Sequence, residues 1–139
     1  MRMFFPPAKR WKQISAIDPD REYVAFTSRF FMKSPRRVLK FLARSGPIEK
    51  QVDAAPGVVG WSLAANILKL EFYTLSAWED AESLRRFAHE AEHGAVMPEF
   101  KDDMRRKSLF VHYSVMGRDL PLSWKDAVTR QNNVEAARS

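Results

Sequence analysis

The sequence contains no cysteine, which removes disulfides, thiolate metal sites and a cysteine nucleophile from consideration. It has no apolar run of about 18 residues that could cross a bilayer as a helix. Its first residues, Met1-Arg-Met-Phe-Phe-Pro-Pro, meet proline too early to form a secretory apolar core, so the cytoplasm is the expected location. Glycine-rich phosphate loops, paired zinc-ligand spacings, a Ser-His-acid order and a carboxylate dyad are all missing. Internal repeats and low-complexity tracts are missing as well.

What remains is the composition of one globular domain with one core: 139 residues, 45% hydrophobic and 29% charged. The formal charge of +6 raises the question of a polyanionic partner. Lys33, Arg36, Arg37, Lys40, Arg44 and Lys50 are concentrated in a stretch whose single acid is Glu49. They fit the solvated face of an amphipathic helix, and no aromatic RNA-binding motif accompanies them. Nucleic acid is therefore not the expected partner.

Residues 1–21 read as an extended arm, because Pro6-Pro7 and Asp18-Pro19 forbid regular structure. Residues 22–117 hold the main domain, and 118–139 a proline-led final helix from Leu120 to Val128 with a frayed polar tail. Tyr23 to Met32 alternates as a strand, with Val24, Phe26, Ser28, Phe30 and Met32 on one face. Ser34-Pro35 then caps a helix that Gly46-Pro47 stops. Residues 47–57 form a linker with at most a short helical turn. Val58–Ala65 and Leu70–Trp78 read as two strands of a hairpin. Asp80 caps a second helix, whose apolar stripe begins at Leu84 and Phe87. Leu109–Met116 is the last strand.

The order strand-helix-strand-strand-helix-strand predicts an α+β, ferredoxin-like domain with a four-stranded antiparallel sheet and both helices on one face. The strands nevertheless offer large apolar groups to both sides, and a bare apolar face does not stay in water. An identical sheet from a second protomer would cover it, so a homodimer through the sheet faces is expected.

Pro56-Gly-Val-Val-Gly-Trp-Ser-Leu63, Phe72-Tyr-Thr-Leu-Ser-Ala-Trp-Glu-Asp80, Ser83-Leu84, Phe87 and His93…Met97 together resemble the dimeric α/β-barrel proteins. Within them the motif is most similar to the antibiotic-biosynthesis-monooxygenase-like group and the related DUF3291 families. The resemblance spans residues 22–117. It implies a dimeric α/β barrel with a cavity in each protomer. It also implies a cofactor-independent monooxygenase acting on a hydrophobic aromatic or polyene compound. The alternative is a non-catalytic protein that binds a small molecule or haem in the same cavity.

Three candidates for catalysis follow. His93 matches a helix histidine that ligates haem iron in some members of the superfamily, although helical projection sets His89 and His93 opposite the apolar stripe. Their i, i+4 spacing lacks an accompanying carboxylate motif, so no metal site is expected. His112 lies mid-strand on the face of Phe110, Ser114 and Met116. Arg29 is a charge inside a strand, which needs a partner or a cavity. If both project inward, Arg29 would stabilise an enolate and His112 would exchange its proton. Trp61, Phe72, Tyr73 and Trp78 would line a flat aromatic site or a porphyrin pocket, or else form core. Asn66 would orient a carbonyl oxygen, or else shape the hairpin turn. No bound cofactor is required, and haem is the candidate if one exists.

Overall fold

The computed structural model describes the backbone of residues 5–8, 10–93 and 97–138, and the side chains of 10–91 and 100–138. In chain order the elements begin with β1 (Phe5–Ala8), β2 (Lys12–Gln13), β3 (Glu22–Met32), α1 (Pro35–Ala43) and α2 (Gly46–Asp53). They continue with β4 (Val58–Asn66), β5 (Glu71–Trp78), α3 (Ala81–His93), β6 (Met104–Met116) and α4 (Trp124–Arg138). Local chemistry sets the helix starts. The Ser34 hydroxyl accepts the Arg37 N–H at 3.3 Å with Pro35 just inside, and Asp80 Oδ1 accepts the Ser83 N–H at 2.8 Å.

The fold is α+β and ferredoxin-like, with an antiparallel core sheet ordered β4-β5-β3-β6. The expectation of four strands is too small: β1 and β2 of the arm both pair with β4 and widen the sheet. Proline is tolerated in β1 because an edge strand has one side free of ladder bonds.

Cross-strand partners share a face, so the register divides the core in two. One face carries Phe30, Met32, Trp61, Leu63, Phe72 and Trp78, packed under Val38 and Phe41 of α1 and Leu84 of α3. The Phe41 ring sits 4.5 Å from both Phe72 and Phe100 and ties α1 to the sheet and to the 3-10 turn Met97–Asp103. Arg37 and Lys40 of the basic stretch pair with Asp103 in that turn, Lys40 at 3.0 Å. Two of the clustered cations thus have a structural task.

The opposite face carries Tyr23, Ala25, Thr27, Arg29, Tyr73, Leu75 and Ala77. Its expected cover was an identical sheet. Here the chain supplies the cover itself. α4 lies across β3 and β6, and Trp11, Ile17, Leu120 and Leu122 pack on Tyr23, Val59 and Ala77. The premise of a bare face is thereby corrected, since Thr27, Leu75 and Ala77 are 0–1% exposed within one chain. The frayed tail is corrected too, because α4 is helical to Arg138.

Two glycines make this cover fit. A β-carbon on Gly60 would overlap the Trp11 indole, and one on Gly117 would overlap the carbonyl oxygen of Asp18. Asp18 presents backbone rather than a flexible side-chain tip, so it has little room to yield. Gly117→Ala is expected to lower stability by about 1–3 kcal/mol, the usual cost of overpacking. A urea midpoint equal to that of the parent would contradict it.

Candidate functional site

The helix face is not covered evenly. Towards the β6 edge the register brings Phe26 opposite His112, Ser28 opposite Phe110, and Val24 opposite Ser114. Phe110 is 58% exposed, although its ring stacks on Phe26 at 6.1 Å and meets Phe30 edge-on at 6.0 Å. Val24, Phe26 and Thr74 are half-buried at mid-sheet, where full burial is the rule. An aromatic shelf therefore lies open between the helices and the last strand. The Ser28 and Thr74 hydroxyls hydrogen-bond to each other on the same face, and His112 stands exposed at the rim. Such a surface offers ring faces for stacking, a hydroxyl pair and one imidazole.

The second face holds a buried ionic network. Arg29 Nη2 donates to both carboxylate oxygens of Glu71, at 2.9 and 3.0 Å, and Nη1 donates to Asn132 of α4 at 2.9 Å. The Tyr73 hydroxyl donates to the same carboxylate. Burial, reinforced by that bond to Glu71, pushes the Tyr73 hydroxyl well above its ordinary pKa. Above Tyr73 stands Trp124, edge-on at 6.4 Å, whose indole N–H donates to Ser62 at 3.2 Å. Gln131, fully buried, donates to Thr27 at 2.8 Å. This face is closed by polar contacts to α4.

The structure thus distributes the expected site residues rather than assembling them. His112 joins the shelf. Arg29 and Tyr73 belong to the network on the other face, so Arg29 and His112 do not meet. Phe72 and Trp78 are 0–1% exposed in the helix-side core, Trp78 donating to Ser76 at 2.8 Å. Trp61, 5% exposed on that face, donates to Asp53 at 2.7 Å, and the Lys12 ammonium beside that carboxylate holds it below its usual pKa. Asn66 accepts the Lys69 N–H at 3.1 Å in the β4–β5 turn. The side chain of His93 lies outside the described residues, and His89 is exposed. Among the described residues, no group of three potential ligands could hold a metal ion.

Residues that sequence reasoning did not single out for a site are Phe26, Ser28, Thr74, Phe110 and Glu71. Alternation placed Phe26 and Ser28 on the right face, but only the coverage of that face decides which of its residues stay open. Glu71 carried no local signal, because its partner is 42 residues away.

The buried phenols predict a pH dependence. Burial, with Asp126 as the lesser cause, pushes the Tyr113 hydroxyl up to about 12. For both Tyr73 and Tyr113 the folded pKa exceeds the unfolded one. Their contribution is therefore complete below about pH 10 and lost as pH climbs through the folded values. Unfolding free energy should fall steadily above about pH 10, and a flat profile to about pH 12 would contradict the burial of these hydroxyls.

No protein-family model matches the chain, and no curated protein sequence matches it. Solved structures do match its fold. An antibiotic biosynthesis monooxygenase superposes with a TM-score of 0.57 at 14% identity, covering 65% of this chain and 95% of its own. A monooxygenase of Streptomyces coelicolor, solved in complex with nanaomycin D, gives 0.56 at 18% identity, covering 76% and 96%. A dimeric ferredoxin-like protein of unknown function from Thermobifida fusca gives 0.54 at 12% identity, covering 68% and 92%. The chain has the fold of the antibiotic-biosynthesis-monooxygenase-like proteins.

Proposed function

We propose that this chain is a monooxygenase-like protein that acts, without a bound cofactor, on a hydrophobic aromatic or polyene compound seated on the helix-face shelf. The observation that carries the reading is the stacked Phe26–Phe110 pair, left open at mid-sheet with His112 beside it. Its ring faces would hold a flat substrate, and His112 would accept the proton that converts it to an enolate. The enolate would supply the electrons to dioxygen. One oxygen atom becomes the new carbonyl, the other leaves as water, and no outside reductant is consumed. DUF3291 kinship, oxidoreductase activity and a cytoplasmic location belong to this reading. So does a homodimer, supported by fold neighbours named as dimeric; its contact would lie outside the sheet face that α4 buries. No helix among the described residues is long and apolar enough to cross a membrane.

One observation favours a second reading, binding without turnover. Arg29, the expected enolate-stabilising cation, is on the opposite face from His112 and is bonded to Glu71. Haem belongs to this reading, with the His112 imidazole beside the phenylalanine rings as the donor; a Soret band lost in His112→Ala would mark it.

A hydroxyanthracene probe separates the outcomes. Oxygen uptake that falls in His112→Ala, with binding retained, supports turnover. Binding without uptake supports the second reading. Phe110→Asp should weaken binding about tenfold, the equivalent of 1.4 kcal/mol. Unchanged binding in that variant would remove the shelf from the account.

A further inference from the structure

The last strand has a second cleft, between the end of β6 and the start of α4, to which Ser114 and Ser123 also contribute. Its volume is about 410 Å³, within the usual range for small-molecule sites. Val115, Met116 and Leu122 give it an apolar floor, and the ring of Tyr113 forms one wall. The Tyr113 hydroxyl oxygen is buried and has no hydrogen-bond partner among the described residues.

Charge in the cleft runs against that of the chain. The whole protein carries +6, yet the cleft is lined by Glu22, Asp119 and Asp126 against one cation, Arg130. Arg130 is already committed: its Nε donates to Asp126 at 2.9 Å, and its guanidinium lies 3.9 Å from the Tyr113 ring centre. That leaves Glu22 and Asp119, neither of which has an ion pair among the described residues, although other acids of this chain do, Asp20 with Arg118 and Glu79 with Arg21 among them. Arg130 itself demonstrates what the site accommodates, a cation held between an aromatic face and a carboxylate.

We infer that this cleft is a binding site for a small organic ammonium compound with an apolar body. The ammonium group pairs with Glu22 and Asp119, and the body covers Leu122 and Met116. The cleft lies at the Met116 end of β6, beside Glu22 of β3, and its lining includes neither Phe110 nor His112.

The test titrates the protein at low ionic strength with 2-phenylethylammonium and with 3-phenylpropanoate, which has a similar body and the opposite charge. The ammonium compound should bind with a Kd of about 1 mM or tighter, and the carboxylate should not. Glu22→Gln with Asp119→Asn should weaken the ammonium compound at least about tenfold, and added salt should do the same in the parent. Both positions are exposed, so the fold does not depend on them. Equal binding of the two compounds, unchanged binding in the double variant, or no binding of the ammonium compound up to about 10 mM would each overturn the inference.

Discussion

Truncation after Asp119 is expected to leave a chain that no longer holds a native tertiary structure at 25 °C, binds hydrophobic dyes and self-associates. α4 buries Ala127, Val128 and Gln131, and Trp124 packs on Tyr73. Without it, Tyr73, Leu75 and Leu109 would face water together with Thr27, Ser62 and Arg29, which bond to Gln131, Trp124 and Asn132 of the helix. One large apolar side chain contributes about 1.5–3 kcal/mol on burial. Several such groups, plus the polar contacts, approach the whole stability of a domain, about 5–15 kcal/mol. Supplying residues 120–139 as a separate peptide should restore cooperative unfolding. A truncated chain with an unchanged melting transition would show that α4 is an accessory rather than a layer of the fold.

Arg29→Met should cost about 3–5 kcal/mol, because it leaves the Glu71 carboxylate buried without its Arg29 partner. The Glu71 side chain is 6% exposed, and its remaining cation, Arg105, stands 3.9 Å away. Arg29→Met combined with Glu71→Met should cost less than Arg29→Met alone, since the pair can be replaced by apolar groups but not halved. The double variant would still strand the Tyr73 hydroxyl, which costs about 1–3 kcal/mol. Denaturant unfolding of the four proteins measures the coupling directly. Additive losses would mean that the charges do not depend on each other.

The parts of the fold that rest on local pattern were legible in the sequence. Alternation placed β3 almost to the residue, and Ser34 and Asp80 marked two helix starts through their own side chains. β6 begins five residues earlier than its apolar pattern, because Met104-Arg-Arg-Lys-Ser108 pairs through backbone and carries no alternation. α4 was harder to read, since it has almost no apolar stripe. It is held by Gln131, Asn132, Glu135 and Arg138, which bond to groups on β3 and β6 about 30 to 100 residues distant in sequence. Polar complementarity over that separation leaves no periodic trace, so its helical end looked like a solvated tail and the face beneath it looked bare.

The candidate site divides in the same way. Alternation put His112 and Phe110 on one face, and the structure agrees. The aromatic residues that stand out by type, Trp61, Phe72 and Trp78, are core, whereas the open pair Phe26 and Phe110 carries no distinguishing motif. Residue type identifies what can stack, and only packing decides what is left uncovered.

The most direct test is to map amide and side-chain shifts by nuclear magnetic resonance while titrating the hydroxyanthracene probe. The largest changes should fall on Phe26, Ser28, Thr74, Phe110 and His112, with the resonances of Tyr73, Trp124 and Gln131 nearly still. Changes centred on Tyr73, Trp124 and Gln131 would mean that α4 opens and that the ligand enters the opposite face, which would contradict a site on the shelf.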